Sequence, residues 1–317
     1  MKRTSPLQPL RPLAEPPTVG VIGLGQMGRP MSANLVRRGF ATSGYDVNET
    51  ALAAAAATGV QNEASARAVL TRSHVVILSL PTEQALETLL VGEGGLCEED
   101  LSGRILVDTT TTTVSLAERM ARAVAARGGA FLDAPVTGGV SGAEKGNLTI
   151  MVGGDAAAFA EARPVLEAIG ERLVHVGPSG HGQVAKMVNQ MLMAAIYTSV
   201  AEAFAFAAQM GADVSRVYEA VEHGGAESRL LSAIKPSLLN GTVSTNGNLN
   251  QHGKDIDYVM AEAIRRQLYL PVTGAVHTFF QMSRSLGFGQ VRCHEMWAVW
   301  EKLLGIRIKD TTNPEGP

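Results

Sequence analysis

Apolar residues are spread unevenly along the chain, and changes in their spacing divide it into parts. Residues 1–17 carry Pro6, Pro9, Pro12, Pro16 and Pro17, three basic residues and no continuous apolar run. They read as a flexible tail rather than a signal sequence, which would need an apolar core segment. From Thr18 short apolar runs recur between glycine, proline or polar residues: Val19-Gly-Val-Ile, His74-Val-Val-Ile-Leu-Ser-Leu, Arg104-Ile-Leu-Val-Asp, Ala130-Phe-Leu-Asp and Leu148-Thr-Ile-Met-Val. Runs this short and continuous predict buried strands. Helical spacing fills the intervals at residues 27–38, 49–58, 83–90, 114–127 and 155–169. Gly39, Gly59, Gly128 and Gly170 stand just past the ends of these stretches, where a helix is expected to stop. Strand and helix alternating in this way imply a mostly parallel sheet with helices on both faces.

After Gly182 the strand-like runs nearly vanish. Helical spacing covers residues 184–210, 214–222, 228–239, 254–267, 274–286 and 294–304, so this part is expected to be all-α. The stretch 191–212 is the one that could mimic a membrane span, but Glu202 sits at its middle with Thr198, Ser199 and Gln209 nearby, and much of its apolar content is alanine. That pattern predicts a buried helix and no transmembrane segment.

Composition agrees with a folded chain long enough for two domains: 45% of the 317 residues are hydrophobic and 18% charged, far from the balance of disordered segments. The 27 Lys plus Arg against 30 Asp plus Glu leave a net charge of -3. No field then draws the chain to phosphate backbones or anionic lipid, and neither nucleic acid nor membrane is expected as a partner. Cys97 and Cys293 are too few for a disulfide framework or a thiolate metal site; they read as buried fillers in a reducing, cytoplasmic setting. His223, His252 and His277 share no ligand spacing with carboxylates or thiols, so no metal is expected.

The hexad Gly23-Leu24-Gly25-Gln26-Met27-Gly28 follows a predicted strand and opens a predicted helix, and a second strand ends at Asp46. In that context the three glycines have separate uses. Gly23 permits the tight turn, Gly25 lets backbone approach a pyrophosphate, and Gly28 lets helix and strand pack closely, with the helix N-terminus facing the phosphates. Asp46 can accept hydrogen bonds from the adenosine ribose and would repel a 2′-phosphate, so NAD is expected over NADP. Val47, not arginine, follows it. The expected organisation is an α/β chain: a Rossmann-type doubly wound sheet binding NAD over residues 18–180, an all-helical domain for substrate and oligomerisation over 181–305, and a tail at 306–317.

Four segments, in order between Thr18 and Leu304, resemble the β-hydroxyacid dehydrogenase family, which includes 3-hydroxyisobutyrate dehydrogenase and tartronate semialdehyde reductase. They are Val21-Ile-Gly-Leu-Gly-Gln-Met-Gly, Asp133-Ala-Pro-Val-Thr-Gly-Gly-Val-Ser-Gly-Ala, Gly180-His-Gly-Gln-Val-Ala-Lys-Met-Val-Asn-Gln and Lys254-Asp. The resemblance implies a Rossmann-type domain followed by a helical one, reversible NAD(P)-linked oxidation of a small 3-hydroxy acid or reduction of the matching semialdehyde, and a homodimer or homotetramer.

It also implies roles. Lys186 occupies the position of the family's catalytic lysine. Hydride transfer from a carbinol carbon requires its hydroxyl proton to leave, and an amine within reach can take it once desolvation or a neighbouring positive charge brings its pKa toward neutrality. Asn189, three residues on along the same helix face, can hold the substrate hydroxyl or carboxylate; Gln190 stands where some relatives place a second Asn, and either amide can take either group. Thr137-Gly138-Gly139 is a turn able to offer backbone N–H groups and a hydroxyl to a carboxylate. Leu80-Pro81, Thr111 within Asp108-Thr-Thr-Thr, and Lys254 resemble segments that touch the cofactor. Arg229, in a segment resembling one that lines the substrate pocket, would grip a second anionic group. Val114 replaces a proline common in the family, at a helix entry. His181 reads as a spacer. Two other readings share the architecture, an imine reductase and a non-catalytic dinucleotide-binding relative, and both generally lack the lysine found at 186.

Overall fold

The computed structural model describes residues 17–242 and 247–308; the expected tails, apart from Pro17 and residues 306–308, lie outside the described residues. The chain divides into two compact units that meet between Lys186 and Met187.

The first unit runs β1 (Val19–Ile22), α1 (Gly28–Arg37), β2 (Thr42–Tyr45), α2 (Glu49–Ala56), β3 (Gln61–Asn62), α3 (Ala66–Arg72), β4 (Val75–Leu78), α4 (Glu83–Val91), β5 (Ile105–Asp108), α5 (Val114–Ala125), β6 (Ala130–Asp133), β7 (Val136–Thr137), α6 (Gly139–Lys145), β8 (Leu148–Gly153), α7 (Ala156–Ile169) and β9 (Gly170–Gly177). Six strands lie in the order β3-β2-β1-β4-β5-β6, each parallel to its neighbours. This is the doubly wound order, in which the chain reverses its direction of travel between β1 and β4 and leaves a crevice at their carboxyl ends. Beyond β6, β8 runs antiparallel to both β6 and β7 and parallel to β9.

Both faces of the sheet are covered because the central strands are apolar at every position. Val75 and Ile77 of β4 join a core with Met31 and Leu35 of α1 and Val165 and Leu166 of α7. Val76 and Leu78, on the opposite face, join Leu70 of α3, Leu86 and Leu90 of α4, and Met120 and Val124 of α5. Side chains alternate across a strand, so a continuous apolar run serves two cores at once.

Helix α8 (His181–Gln209) begins before the division between the units and continues past it. The second unit then adds α9 (Val214–Val221), α10 (Arg229–Asn240), α11 (Leu249–Arg265), α12 (Pro271–Ser285) and α13 (Trp297–Leu304). Tyr197, Phe204, Tyr218, Leu238, Ile256 and Phe280 are among its buried core residues. Among the described residues α8 is the one helix long and apolar enough to cross a membrane, and only 33% of its most apolar window is buried. The expected buried helix therefore keeps a large open face.

Several elements were not legible in the residue pattern. Strand β9 exposes alternate side chains, and Val174 and Val176 are 40% and 37% exposed, so no continuous apolar run marks it. Helix α3 has seven residues and β3 two, too short to show a period. Helix α11 starts five residues before the expected Lys254. Asn248 and Gln251 close a capping box there, and Gly253, just before the expected start, lies inside the helix. A Cβ at Gly253 would stand 3.1 Å from the Arg284 guanidinium, which accounts for a glycine at that point.

Candidate functional site

The glycine-rich turn stands at the crevice between β1 and β4. Gly23 has φ +92, and a Cβ there would lie 2.2 Å from the Ser79 carbonyl that follows β4; a Cβ on Gly28 would lie 1.8 Å from the Gly23 carbonyl. Only glycine fits either position. At Gly25, by contrast, a Cβ would meet nothing within 4 Å, so the backbone there borders open space. Met27, the residue before α1, makes no side-chain capping bond, and the first turn holds no acidic residue. The helix N-terminus therefore keeps its positive end for an outside anion. Leu24 is buried and Gln26 exposed.

Asp46 follows β2 and is half-buried. Its Oδ2 accepts a hydrogen bond from Leu24 N (2.6 Å) and its Oδ1 one from Asn48 N (2.8 Å). Each carboxylate oxygen has a second acceptor site left for a ribose hydroxyl. Val47 beside it is 88% exposed. Open backbone at Gly25, an uncapped helix start and a carboxylate at the end of β2 suit a dinucleotide in the expected orientation.

The loops after β4 and β5 are tied together. Leu80 N donates to Thr110 Oγ1 (3.1 Å), and both the backbone N–H and the hydroxyl of Thr109 donate to the Leu78 carbonyl at 2.8 Å. Pro81 is exposed and Thr111 half-buried. Gln183, on the first turn of α8, reaches this loop: its Nε2 donates to Thr110 O (2.8 Å) and its Oε1 accepts from Thr112 N (3.1 Å).

Beneath the loop stand two carboxyl groups that the parallel register places side by side, Asp108 ending β5 and Asp133 ending β6. Asp133 accepts from Gly180 N (2.7 Å) and Gln183 N (3.0 Å), so it caps the start of α8. Burial pushes its carboxyl up to about 6, against the pull of those backbone donors. Asp108 is fully buried. Its Oδ1 accepts from Thr110 N (3.0 Å), while its Oδ2 has no hydrogen-bond partner. Desolvation pushes it up to about 7; the hydrogen bonds of Thr110 oppose the shift and the Asp133 charge adds to it.

Lys186, one turn beyond Gln183, is 8% exposed and its Nζ donates to the Val136 carbonyl at 2.9 Å. The catalytic-lysine position and the expected carboxylate-binding turn are thus brought together, because Val136 immediately precedes Thr137-Gly138-Gly139. Thr137 is half-buried and Gly138 and Gly139 are exposed, with φ +132 and +65.

In the second unit Asn189, Gln190 and Lys254 join through a residue that sequence reasoning left without a role, Asp255. Gln190 Nε2 donates to Asp255 Oδ2 (2.6 Å), Asn189 Nδ2 donates to Gln190 Oε1 (2.9 Å), and Lys254 Nζ lies 3.7 Å from Asp255 Oδ1. Arg229 is the first residue of α10, exposed, and no hydrogen bond ties it to these groups. Besides Asp255, the residue pattern left Gln183 and the paired Asp108 and Asp133 without roles. A signal for the pair was present, since two neighbouring apolar strands both end in aspartate.

Comparison with known proteins bears directly on this arrangement. Residues 18–177 match the family described as the NAD binding domain of 6-phosphogluconate dehydrogenase, and residues 180–299 the family described as NAD-binding of NADP-dependent 3-hydroxyisobutyrate dehydrogenase. The 2-(hydroxymethyl)glutarate dehydrogenase of Eubacterium barkeri is 31% identical over 291 residues, 92% of this chain and 97% of that protein. The chain belongs to the 3-hydroxyisobutyrate dehydrogenase family. The 2-hydroxy-3-oxopropionate reductase of Escherichia coli is 34% identical over 277 residues, 86% of this chain and 93% of that protein. The 3-hydroxyisobutyrate dehydrogenase of Mycobacterium tuberculosis, solved with L-serine, superposes with a TM-score of 0.81 at 28% identity, covering 91% of this chain and 99% of that one. Imine reductases share the fold at 19–23% identity and TM-scores of 0.57–0.62, a weaker likeness. As a member of the 3-hydroxyisobutyrate dehydrogenase family, the protein is an NAD(P)-binding oxidoreductase acting on CH–OH groups.

The buried Asp108 carboxyl has a consequence for stability. The folded chain holds the Asp108 proton up to about pH 7, whereas an ordinary aspartate releases it at 3.8. Between those limits the folded state binds more protons than the unfolded one, so stability falls as pH rises through them. Asp108→Asn removes that titration and is expected to flatten the decline in Tm between pH 5 and pH 8, by about 1.4 kcal/mol for each pKa unit abolished. Thermal unfolding of both proteins across this range checks it; parallel Tm profiles would show that Asp108 does not hold its proton in the fold.

Proposed function

We propose that the protein interconverts a small 3-hydroxy carboxylic acid and its 3-oxo acid or semialdehyde, with NAD as the preferred dinucleotide and Lys186 as general acid and base. The observation that carries this reading is the buried Lys186 amine held at the Val136 carbonyl, at the entrance to the Thr137-Gly138-Gly139 turn.

When bound, the dinucleotide supplies the carbon that accepts or returns the hydride. Backbone of Gly23, Leu24, Gly25, Gln26, Met27 and Gly28 would hold its pyrophosphate and Asp46 its ribose, with Leu80, Pro81 and Thr111 toward its reactive end. The Thr137 hydroxyl and the N–H groups of Gly138 and Gly139 receive the substrate carboxylate. Lys186 Nζ takes the proton of the 3-hydroxyl during oxidation and returns it during reduction.

Asn189 contributes an acceptor. The Asp255 carboxylate cannot donate, so the Gln190 NH₂ must face it; the Gln190 oxygen then faces the Asn189 NH₂, and the Asn189 oxygen is the atom left for a hydroxyl or ammonium donor on the substrate. The two alternative readings are disfavoured by the amine at 186. Apolar side chains on the open face of α8 (Val184, Val188, Leu192 and Phe206, 41–66% exposed) and Ile264, Leu268, Tyr269 and Val272 (57–89%) support a homo-oligomer, dimer or tetramer.

Three measurements test this reading. Lys186→Ala is expected to lower kcat by about 10² to 10⁴ with near-normal cofactor Kd, and Lys186→Arg to restore little, since a guanidinium stays protonated; turnover retained by Lys186→Ala would place the proton elsewhere. For the dinucleotide, kcat/KM is expected to favour NAD over NADP, and Asp46→Ser with Val47→Arg to narrow the gap; equal use of NADP by the unsubstituted enzyme refutes the preference. Sedimentation at micromolar concentration is expected to give a dimer or tetramer, and a monomer there would contradict the oligomeric assignment.

A further inference from the structure

We infer that Gln183 is a positioning residue that sets the loop carrying Thr111 at a fixed distance from Lys186. The inference rests on the dehydrogenase reading above. Gln183 is completely buried, and its side-chain amide contacts the residues on either side of Thr111, donating to Thr110 O at 2.8 Å and accepting from Thr112 N at 3.1 Å. A carbonyl can only accept and a backbone N–H can only donate, so the orientation of the amide is fixed by its partners. The side chain thus pairs with the loop as a neighbouring strand would, and Thr111 is held between the two contacts.

The other end of the link is equally constrained. Gln183 N donates to Asp133 Oδ2 at 3.0 Å, and a Cβ on the preceding Gly182 would lie 2.3 Å from Asp133 O and 2.4 Å from Met151 O. The first turn of α8 is therefore seated directly on the ends of β6 and β8, and Lys186 follows one helical turn later. A displacement of Thr111 relative to Lys186 must break a buried amide contact, and an unpaired buried amide is costly.

Gln183 is not what keeps the loop folded. Thr110 N is held by Asp108, Thr110 Oγ1 by Leu80 N, and Thr113 N by the Glu83 carboxylate, so both ends of the segment are anchored without it. What Gln183 contributes is a direct link from the first turn of α8 to the middle of the segment, on either side of Thr111. On the reading above, that middle lies toward the reactive end of the cofactor, while Lys186 moves the hydroxyl proton. The two groups must be registered to a fraction of an ångström, and an error near 1 Å can cost about 10²-fold in rate.

The test uses Gln183→Met, which preserves length and removes both hydrogen bonds, and Gln183→Glu, which keeps an acceptor for Thr112 N but loses the donor to Thr110 O. Amide exchange of the protein without cofactor is expected to speed up at Thr112 in the Met variant and to stay protected in the Glu variant. With oxidised cofactor and a turned-over 3-hydroxy acid, Gln183→Met is expected to lose about 10- to 100-fold in kcat, with KM and cofactor Kd near normal and a larger primary isotope effect when the acid is deuterated at its carbinol carbon. Unchanged exchange at Thr112, or faster exchange with kcat and isotope effect unmoved, overturns the role. Should Gln183→Met fail to fold, Gln183→Glu carries the kinetic arm, with a smaller kcat loss expected and an unchanged kcat refuting. An unsubstituted enzyme that turns over no 3-hydroxy acid would instead refute the dehydrogenase reading, and the exchange result would still decide whether Gln183 holds the loop.

Discussion

The hydrogen bonds from the start of α8 to the buried Asp133 carboxylate are the contact on which the placement of Gln183 and Lys186 depends. A carboxylate at the end of a parallel strand loses most of its hydration, which is why burial pushes Asp133 up to about 6. Two backbone N–H groups, from Gly180 and Gln183, offset part of that cost. They belong to a helix start whose N–H groups lack intrahelical partners, so each side supplies what the other lacks. Because α8 is seated there, Gln183 can reach the loop after β5 and Lys186 the carbonyl before the Thr137 turn. One capped helix end thereby brings two separate loops to a common place.

The dinucleotide half follows the same economy by different means. Gly23 and Gly28 let a turn, a helix and the end of β4 approach to distances that no side chain would allow. Asp46 then braces the turn from β2 through Leu24 N while keeping acceptor capacity for a ligand. A residue expected for its contact with ribose is therefore also part of the framework. Removing its carboxylate would disturb the turn as well as the specificity, so cofactor preference is read most cleanly when Asp46 is replaced by another side chain that can accept the Leu24 N–H.

The sequence revealed most where a physical requirement repeats at a fixed spacing. Continuous apolar runs marked the central strands because both faces of the sheet are buried, and glycines marked turns that only glycine can make. It revealed less where a contact depends on elements distant in the chain. Nothing local in Gly180-His-Gly-Gln says that the glutamine reaches residues 110 and 112, and β9 lacked an apolar run because it exposes alternate side chains to solvent. The start of α11 was missed for a related reason: Gly253 interrupts the residue pattern inside the helix, where it lies close to the Arg284 guanidinium, which Asp257 of the same helix holds with both carboxylate oxygens at 3.0 Å.

The length of the side chain at 190 has a clear structural consequence in the second unit. Glutamine at 190 carries its amide one methylene farther than asparagine would, and that length lets Nε2 reach the Asp255 carboxylate at 2.6 Å while Oε1 still meets Asn189 Nδ2. The chain of bonds has a direction imposed by its acceptor-only end, and it runs from Asp255 through Gln190 to Asn189. A shorter side chain would free one of the two amides to rotate and offer either hydrogen or oxygen. With Gln190 in place and 4% exposed, Asn189 Nδ2 donates to Gln190 Oε1 and lies 3.2 Å from Met193 Sδ, so the polarity of Asn189 is set before any substrate arrives.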